Sequence, residues 1–432
     1  MTRHKAQAQR FAHRLLETRN TTQIQDQLQP DHATLPPRVQ NSSRTDHASV
    51  MQRWNLINKP DAAAILTGQA ASQLSSYDRH IENLLGELRV PIGLAGPLRV
   101  NGLFAKGDFH IPMATTEAAL VASYNRGCQA ISRAGGASSI MLAEGVSRSP
   151  GFVFTRAVDA AQFALWVMEQ QEKLVEVAAT TTRHGRLEDI SFTVEGNHLY
   201  LHLSYFTGDA AGQNMVTLAT QAVCDYVVQA APIKPLRHFV EANMSGDKKA
   251  SMLSFMGVRG KKVCAEIVLA PEIVTSVLRT SPGNMAEYAL LSAFGGVMSG
   301  TIGVQGHYAN GLAALFLATG QDVACISEAS VGVTRMNVSE NGGLYASVTL
   351  PNLIVGTVGG GTSLPSQAAC LDIMNLRGNG KAGAFAEVCA ALCLAGELSI
   401  IAALSAGHFA RAHGKLARGT TEGTATPSAT KS

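Results

Sequence analysis

The chain has 432 residues and a mass of 45.4 kDa, room for two or three domains around a large core. Lys+Arg 35 against Asp+Glu 32 leaves +3, too balanced for a nucleic-acid binder. Charged residues are only 16%, below the ~25% of an average soluble protein, so much of the surface is expected to be buried against another subunit, and disordered, collagen-like and disulfide-scaffold classes are excluded.

In chain order, MTRHKAQAQRFAHRLLETRN opens without the apolar core of a signal peptide, and a soluble, cytoplasmic protein is expected. The first 81 residues are mostly polar and read as an N-terminal helical arm. In ENLLGELRVPIGLAGPL (82–98), Gly and Pro fix the backbone beside Glu82 and Asn83. In MATTEAALVASYNRGCQAI (113–131), Glu117 falls in an apolar, helix-like run, where a carboxylate is exposed, paired or held with a raised pKa. From 151 to 242 the pattern is legible. FVFTR is a strand, and Asp159 to Ala179 is a helix with a stripe of Phe163, Val167, Leu174 and Val177. DISFTV and LYLHLSYF form a hairpin about Glu195-Gly196-Asn197. GQNMVTLATQAVCDYVVQAA is a second helix and LRHFVEA a last strand. The order β-α-β-β-α-β predicts a ferredoxin-like unit inserted in a larger domain.

MSGDKKASM (244–252) sets an acid and two lysines in a Gly/Ser loop, suited to oxyanion stabilisation or simply to a solvated turn. From Tyr288 to Gln321 there is no charged residue, but glycines with Gln305, His307 and Asn310 interrupt the run, so buried helices rather than membrane spans are expected. Asp322 in LATGQDVA follows a helix at a Gly break, as a cap or a reactive acid. GTVGGGTS (356–363) matches neither the Rossmann nor the P-loop fingerprint, while GDAAGQN (208–214) opens a helix, where an anion can sit. A long helix is expected from Ala384 to Leu416, carrying AGELSIIAALSAGHFARAH with His408 and His413, whose spacing of five suits no shared metal. No metal site is expected. The seven cysteines are odd in number and form no CxxC, so buried free thiols in a reducing compartment are expected. The tail from Gly419 is low in complexity and reads as disordered. The fold class is α+β: a helix-rich large domain with an inserted ferredoxin-like small domain and an N-terminal helical arm.

Taken together and in this order, ENxxG…PIGLAGPL, ATTExxLVASxNRGCxAI, GDAxGxNM, DKK, ATGQD, VGTVGGGT and AGELSxxAALSAGH resemble the 3-hydroxy-3-methylglutaryl-CoA (HMG-CoA) reductase family, with the spacing of its eukaryotic-type class and the extent of its soluble catalytic portion, 80–418. The resemblance implies NADPH-dependent four-electron reduction of HMG-CoA to mevalonate and CoA, a step of isoprenoid biosynthesis. It divides the chain into an arm (1–81), a large domain for substrate, coenzyme A and dimerisation (82–156 and 252–418), a small NADP-binding domain (157–240), a catalytic connecting loop (241–251) and a tail (419–432). Glu117, Lys248, Asp322 and His413 match the catalytic set, with His408 the non-catalytic histidine. Arg156, Asn243 and Lys249 resemble substrate contacts, and Ser123, Asn125 and Arg126 coenzyme A contacts. Asp209, Gly212, Asn214, Gly359, Gly360 and Gly361 resemble dinucleotide contacts, and Thr182-Arg183-His184 the segment that holds the 2′-phosphate. A homodimer or tetramer with shared sites is implied, and neither nucleic acid nor a membrane is a partner.

The residue types suit the chemistry. Lys248 would stabilise the oxyanion of the first hydride transfer, with Asp322 as its counter-charge. His413 would protonate the leaving thiolate, and Glu117, with a raised pKa, would serve the second reduction. Four departures from the family pattern accompany this set. Glu241 stands for a serine and Leu291 for a lysine, both beside the substrate carboxylate, and Ala118 stands for a glycine. The loop Gly303-Val304-Gln305-Gly306 is one residue short and lacks an asparagine. They leave open a reductase of another acyl-CoA thioester, or a non-catalytic CoA- or dinucleotide-binding relative.

Overall fold

The computed structural model describes residues 20, 22, 23, 26, 39, 43–67, 74–78, 80–257 and 259–407. The chain forms two compact units, Met1–Leu88 and Arg89–Ser432. In the first, helix α1 (His47–Ile57) starts where the Asp46 carboxylate accepts the Ser49 N–H, and α2 (Pro60–Thr67) follows. Buried Arg53 and Trp54 of α1 donate to the carbonyls of Leu84 (2.7 Å) and Leu85 (2.8 Å), which ties the end of this unit to its helix.

In the second unit one sheet links two hydrophobic cores. Strand β1 (Ile92–Gly102) pairs antiparallel with β2 (Lys106–Ala114) and parallel with β3 (Ala137–Arg148). Between them in sequence runs α3 (Leu120–Arg133). The far end of β3 pairs with β6 (His198–Phe206), and after Ser149-Pro150 the chain resumes as β4 (Gly151–Val153), which pairs with the other end of β6. On the way from the large core to the small one, a single strand path therefore feeds both.

The smaller core follows the expected order. After β4 come α4 (Ala157–Glu169), α5 (Gln171–Ala179), β5 (Arg186–Glu195), β6, α6 (Gln213–Ala230) and β7 (Arg237–Phe239). The antiparallel sheet order β7-β4-β6-β5 is that of a ferredoxin-like unit. On β6 every second residue, Leu199, Leu201, Leu203 and Tyr205, is buried under the helices, as period-2 alternation requires. Two expectations are corrected. The single helix from Asp159 to Ala179 is two helices, broken at Gln170 in the polar run EQQE, which supplies no apolar anchor; the Gln170 side chain instead accepts from the Tyr226 hydroxyl (3.2 Å). LRHFVEA is a strand only over Arg237–Phe239.

The larger core holds more strand than its Gly/Ala-rich sequence suggests. β8 (Gly260–Leu269) joins β3 to β10 (Leu344–Leu353), and β9 (Val333–Val338) closes the edge. Against this sheet lie α7 (Pro282–Ser299), α8 (Tyr308–Thr319), α9 (Pro365–Ile373) and α10 (Ala382–Ser405). The long helix expected from Ala384 to Leu416 begins at Ala382, two residues early, and ends at Ser405, before Gly407 with its positive φ; 408–416 lie outside the described residues. α10 is long and apolar enough to cross a bilayer by composition, yet it is the buried core of this unit. All seven cysteines are free and six are buried.

Helices α3 and α10 cross at Gly127, where an added Cβ would overlap the Ala395 backbone. Gly127→Ala is expected to destabilise by about 1–3 kcal/mol, the usual range for overpacking. Gly283→Ala, in open space at the start of α7, should be neutral or stabilise by up to about 1 kcal/mol. Urea denaturation of both variants checks the contrast.

Candidate active site

Three of the motifs singled out in the sequence form one floor. Helix α8 ends at Gly320, whose φ of 70° turns the chain out and whose missing Cβ lets it lie on the backbone of Gly361. The next residue, Gln321, is buried and bonds Gly356 in both directions: its Nε2 donates to the Gly356 carbonyl (3.0 Å) and its Oε1 accepts the Gly356 N–H (2.9 Å). Gly356 lies so close to Asp209, Ala210 and Ala211 that only glycine fits. The Thr357 N–H reaches the Asp209 carbonyl (2.8 Å), and the Asp209 carboxylate accepts the N–H groups of Gly380 (2.7 Å) and Ala382 (3.0 Å) at the start of α10. ATGQD, GTVGGGT and GDAAGQN are thereby stitched together.

Asp322 leaves this floor. One carboxylate oxygen caps the turn Val323–Cys325 by accepting the Ala324 N–H (3.0 Å); the other is 2.8 Å from Lys248 Nζ. Asp322 is thus a cap, as one of the two sequence readings had it, and an ion-pair partner at the same time. The hydrogen bond that Lys248 donates to Asp322 raises the lysine pKa above its ordinary value, and both side chains remain about 40% exposed.

The Lys248 loop is held from below. Asp247 receives Arg148 Nη1 (2.8 Å) and Arg259 Nη2. Burial pushes the Asp247 carboxyl up, but Arg259 and then Arg148 outweigh it and hold it below the usual range. Lys249 folds its ammonium back onto the Asp247 carbonyl (2.9 Å). Glu241 is turned inward: it accepts from Asn243 N (2.7 Å), Ser245 Oγ (3.0 Å) and Ser149 N (3.3 Å), and lies 3.6 Å from Arg148.

Glu117 is not in the helix but in the turn before α3, and it is exposed. Its partners are Thr115, whose hydroxyl accepts its N–H (3.0 Å), and Asn310, whose amide donates to its carboxylate (2.9 Å). Neither belongs to the Lys248 loop. Asn310 stands in the first turn of α8, which follows the Gly303–Gly306 loop; there buried Glu397 accepts the N–H groups of Gly306 (2.9 Å) and His307 (2.7 Å). His408 and His413 lie outside the described residues.

The remaining candidates fall in groups. Ser123 and Arg126 of α3 bond Ser399 of α10, and Asn125 accepts the Gly96 N–H (3.0 Å). Gly212 starts α6 with Asn214 in its first turn, and Thr182 bonds Met215 of that same turn (3.0 Å) while its hydroxyl accepts from His184 and Gly185, leaving Arg183 exposed. Gly359 and Gly360 have positive φ, and an added Cβ on either would meet open space. Arg156 is exposed and caps α4 through Asp159 (2.7 Å). Leu291 is exposed on α7. Sequence reasoning did not single out Arg148, Arg259, Asn310 or Gln321's double bond.

Comparison with known proteins gives one result throughout. The family model for hydroxymethylglutaryl-coenzyme A reductase matches residues 49–418. The 3-hydroxy-3-methylglutaryl-coenzyme A reductase of Methanocaldococcus jannaschii is 44% identical over 79% of this chain and 85% of its own. Reductase 1 of the plant Gossypium hirsutum is 38% identical over 83% of this chain and 64% of its own. Among solved structures, a class II reductase from Streptococcus pneumoniae, bound to NADPH in open conformations, superposes with a TM-score of 0.63 at 19% identity, covering 82% of this chain and 96% of that one.

Asp322→Asn replaces the carboxylate whose charge-assisted hydrogen bond raises Lys248 with a neutral amide, so the lysine pKa should fall. NMR titration of 13Cε-labelled lysine in the two proteins measures this. An unmoved Lys248 resonance would mean that the pair does not form in solution.

Proposed function

This chain belongs to the hydroxymethylglutaryl-CoA reductase family, and we propose that it reduces HMG-CoA to mevalonate and CoA with NADPH. The observation that carries the reading is the Lys248–Asp322 pair, at 2.8 Å and open to solvent, above three converged glycine-rich loops. A thioester needs two hydride transfers to become an alcohol, and bound NADPH supplies each hydride. Lys248 holds the oxyanion, with Asp322 fixing the ammonium. His413 protonates the departing thiolate, and Glu117 supplies the proton of the second reduction. The small ferredoxin-like domain, 157–240, takes the dinucleotide together with a loop of the large one: the α6 start at Gly212 and Asn214 and exposed Arg183 in the small domain, and the open backbone at Gly359 and Gly360 in the large, fit a phosphate-bearing group. Arg156, Lys249 and Asn243 face the acyl carboxylate; Ser123, Asn125 and Arg126 line the coenzyme A side. Membership of the eukaryotic-type class is supported by the motif spacing and by 38% identity to the plant reductase, against 19% to the class II structure.

A second reading keeps the chemistry and changes the acyl group, favoured by Leu291, which brings no charge to the carboxylate. NADPH oxidation measured with HMG-CoA and a panel of other acyl-CoA thioesters decides between them. Lys248→Ala should lower kcat on the true substrate by ~10²–10³. More than roughly a tenth of native activity would remove Lys248 from its role.

The assembly is a homodimer, or a dimer of dimers, with shared sites. Leu290, Leu291, Phe294, Val297 and Met298 form an exposed apolar row on α7, an apolar face of the kind that marks an interface. Within one chain Glu117 bonds Asn310 and not the Lys248 loop, which fits a site completed by the Lys248 of a neighbour. Refolding inactive Glu117→Gln and Lys248→Ala chains together should therefore regenerate activity, since one site of a heterodimer holds both native residues. Heterodimers without activity would put both residues in one chain.

A further inference from the structure

Below the Lys248 loop lies a charge that the chemistry above does not use. Glu328 stands in the short helix Ile326–Ala329, just past Asp322, and is fully buried. Neither of its carboxylate oxygens has a hydrogen-bond partner among the described residues. Its nearest cation is Arg259, whose Nε is 3.9 Å from Oε1. Arg259 is buried too: its Nη2 goes to Asp247 and to Gln213 (2.9 Å), while its Nε and Nη1 have no hydrogen-bond partner among the described residues. The other groups facing Glu328 are the Lys248 backbone, Asp247 of the same loop and the Cys325 thiol.

This arrangement is costly to keep. Burial pushes the Glu328 carboxyl up to about 7, with Arg259 pulling it back down. An apolar or amide side chain would fill the space with less penalty. The neighbouring charges show what the acid does. Arg148 and Arg259 both draw on Asp247, and Asp247 immediately precedes Lys248, whose φ of 54° is a conformation that a side-chain-bearing residue keeps only where its surroundings impose it. Without Glu328, Arg259 would depend on a carboxylate it already shares.

We propose that Glu328 is a positioning residue: as the second counter-ion of Arg259, it holds the Arg259–Asp247 clamp that seats the backbone of Lys248. The inference rests on the reading of Lys248 as the oxyanion stabiliser, but its first test does not. In Glu328→Gln, amide hydrogen exchange across 244–251, read by mass spectrometry, should accelerate roughly fivefold or more as the clamp loosens. In turnover, kcat should fall roughly tenfold or more, with the dinucleotide KM within about twofold, because a misplaced charge costs rate rather than cofactor binding. Stability should move the other way. A carboxyl raised in the folded state favours folding when protonated, and that contribution is lost as pH rises through about 7. At pH 8 the variant should therefore match or exceed the native Tm. Should Glu328→Gln not fold, Arg259→Lys, which keeps the charge and loses the fork, reads the same exchange.

Unchanged exchange across 244–251, whatever the activity, overturns the proposal. So does faster exchange with native kcat, or a Tm at pH 8 below the native one, since either would make Glu328 a structural residue only. If the native chain turns over no acyl-CoA thioester, the reductase reading fails, and the exchange result still decides this one.

Discussion

A helix buried on every side has no surface on which to leave a charge, and α10 is such a helix. Its two acids, Glu387 and Glu397, must find donors inside the protein. Glu387 takes the N–H groups of Leu103, Phe104 and Ala105, fixing the turn between β1 and β2. Glu397, whose burial raises its pKa, takes Gly306, His307 and the Thr334 hydroxyl (2.8 Å). Ser399 holds Ser123 and Arg126 of α3, and the first turn of α10 is capped by Asp209. The cost of burying these polar groups is offset only if each loop arrives in one conformation. Burial of α10 thus fixes the loop before α8, helix α3 and the glycine floor together.

The ion pair at the centre does not assemble the site. Lys248 and Asp322 are each about 40% exposed, and pairs so exposed contribute ~0–1 kcal/mol. Each partner is positioned by buried groups behind it. Asp322 is set by the glycine contact at Gly320 and by Gln321, and Lys248 by two buried arginines acting on Asp247. This division suits the chemistry. An ammonium clamped directly by strong, dry ion pairs would have little charge left for a developing oxyanion, whereas one aimed by its backbone keeps its charge for the reacting atoms.

How much of this could be read from the sequence depended on periodicity. The ferredoxin-like unit alternates with period 2 on β6 and carries an apolar stripe on α4, so its elements and their order were legible. The large core was not, because Gly, Ala and Val serve its strands and helices alike. The motifs pointed to Glu117, Lys248 and Asp322, but not to what holds them. Arg148 and Arg259 look in sequence like any surface arginine, and Glu328 like any helix acid. Their burial results from contacts between distant segments, 99 residues apart for Arg148 and Asp247, and no local pattern encodes it. The break at Gln170 was visible as a polar run, yet it was overridden by the apolar stripe on either side.

The same charges explain the departure that weighs most against an anionic acyl group. A glutamate at 241 would repel a carboxylate if it faced the substrate. It faces Arg148 instead, with three further hydrogen bonds to Ser149, Asn243 and Ser245. Arg148 is 8% exposed and shares Asp247 with Arg259, so a second carboxylate beside it relieves that sharing. Glu241 gives Arg148 that second carboxylate, and its own charge is turned inward. Leu291 differs in kind: it lies on the exposed apolar row of α7, where the local physics is that of a surface awaiting burial. One departure is a rebalancing of buried charge and the other a change of packing surface, and neither alters the pair on which the reduction would turn.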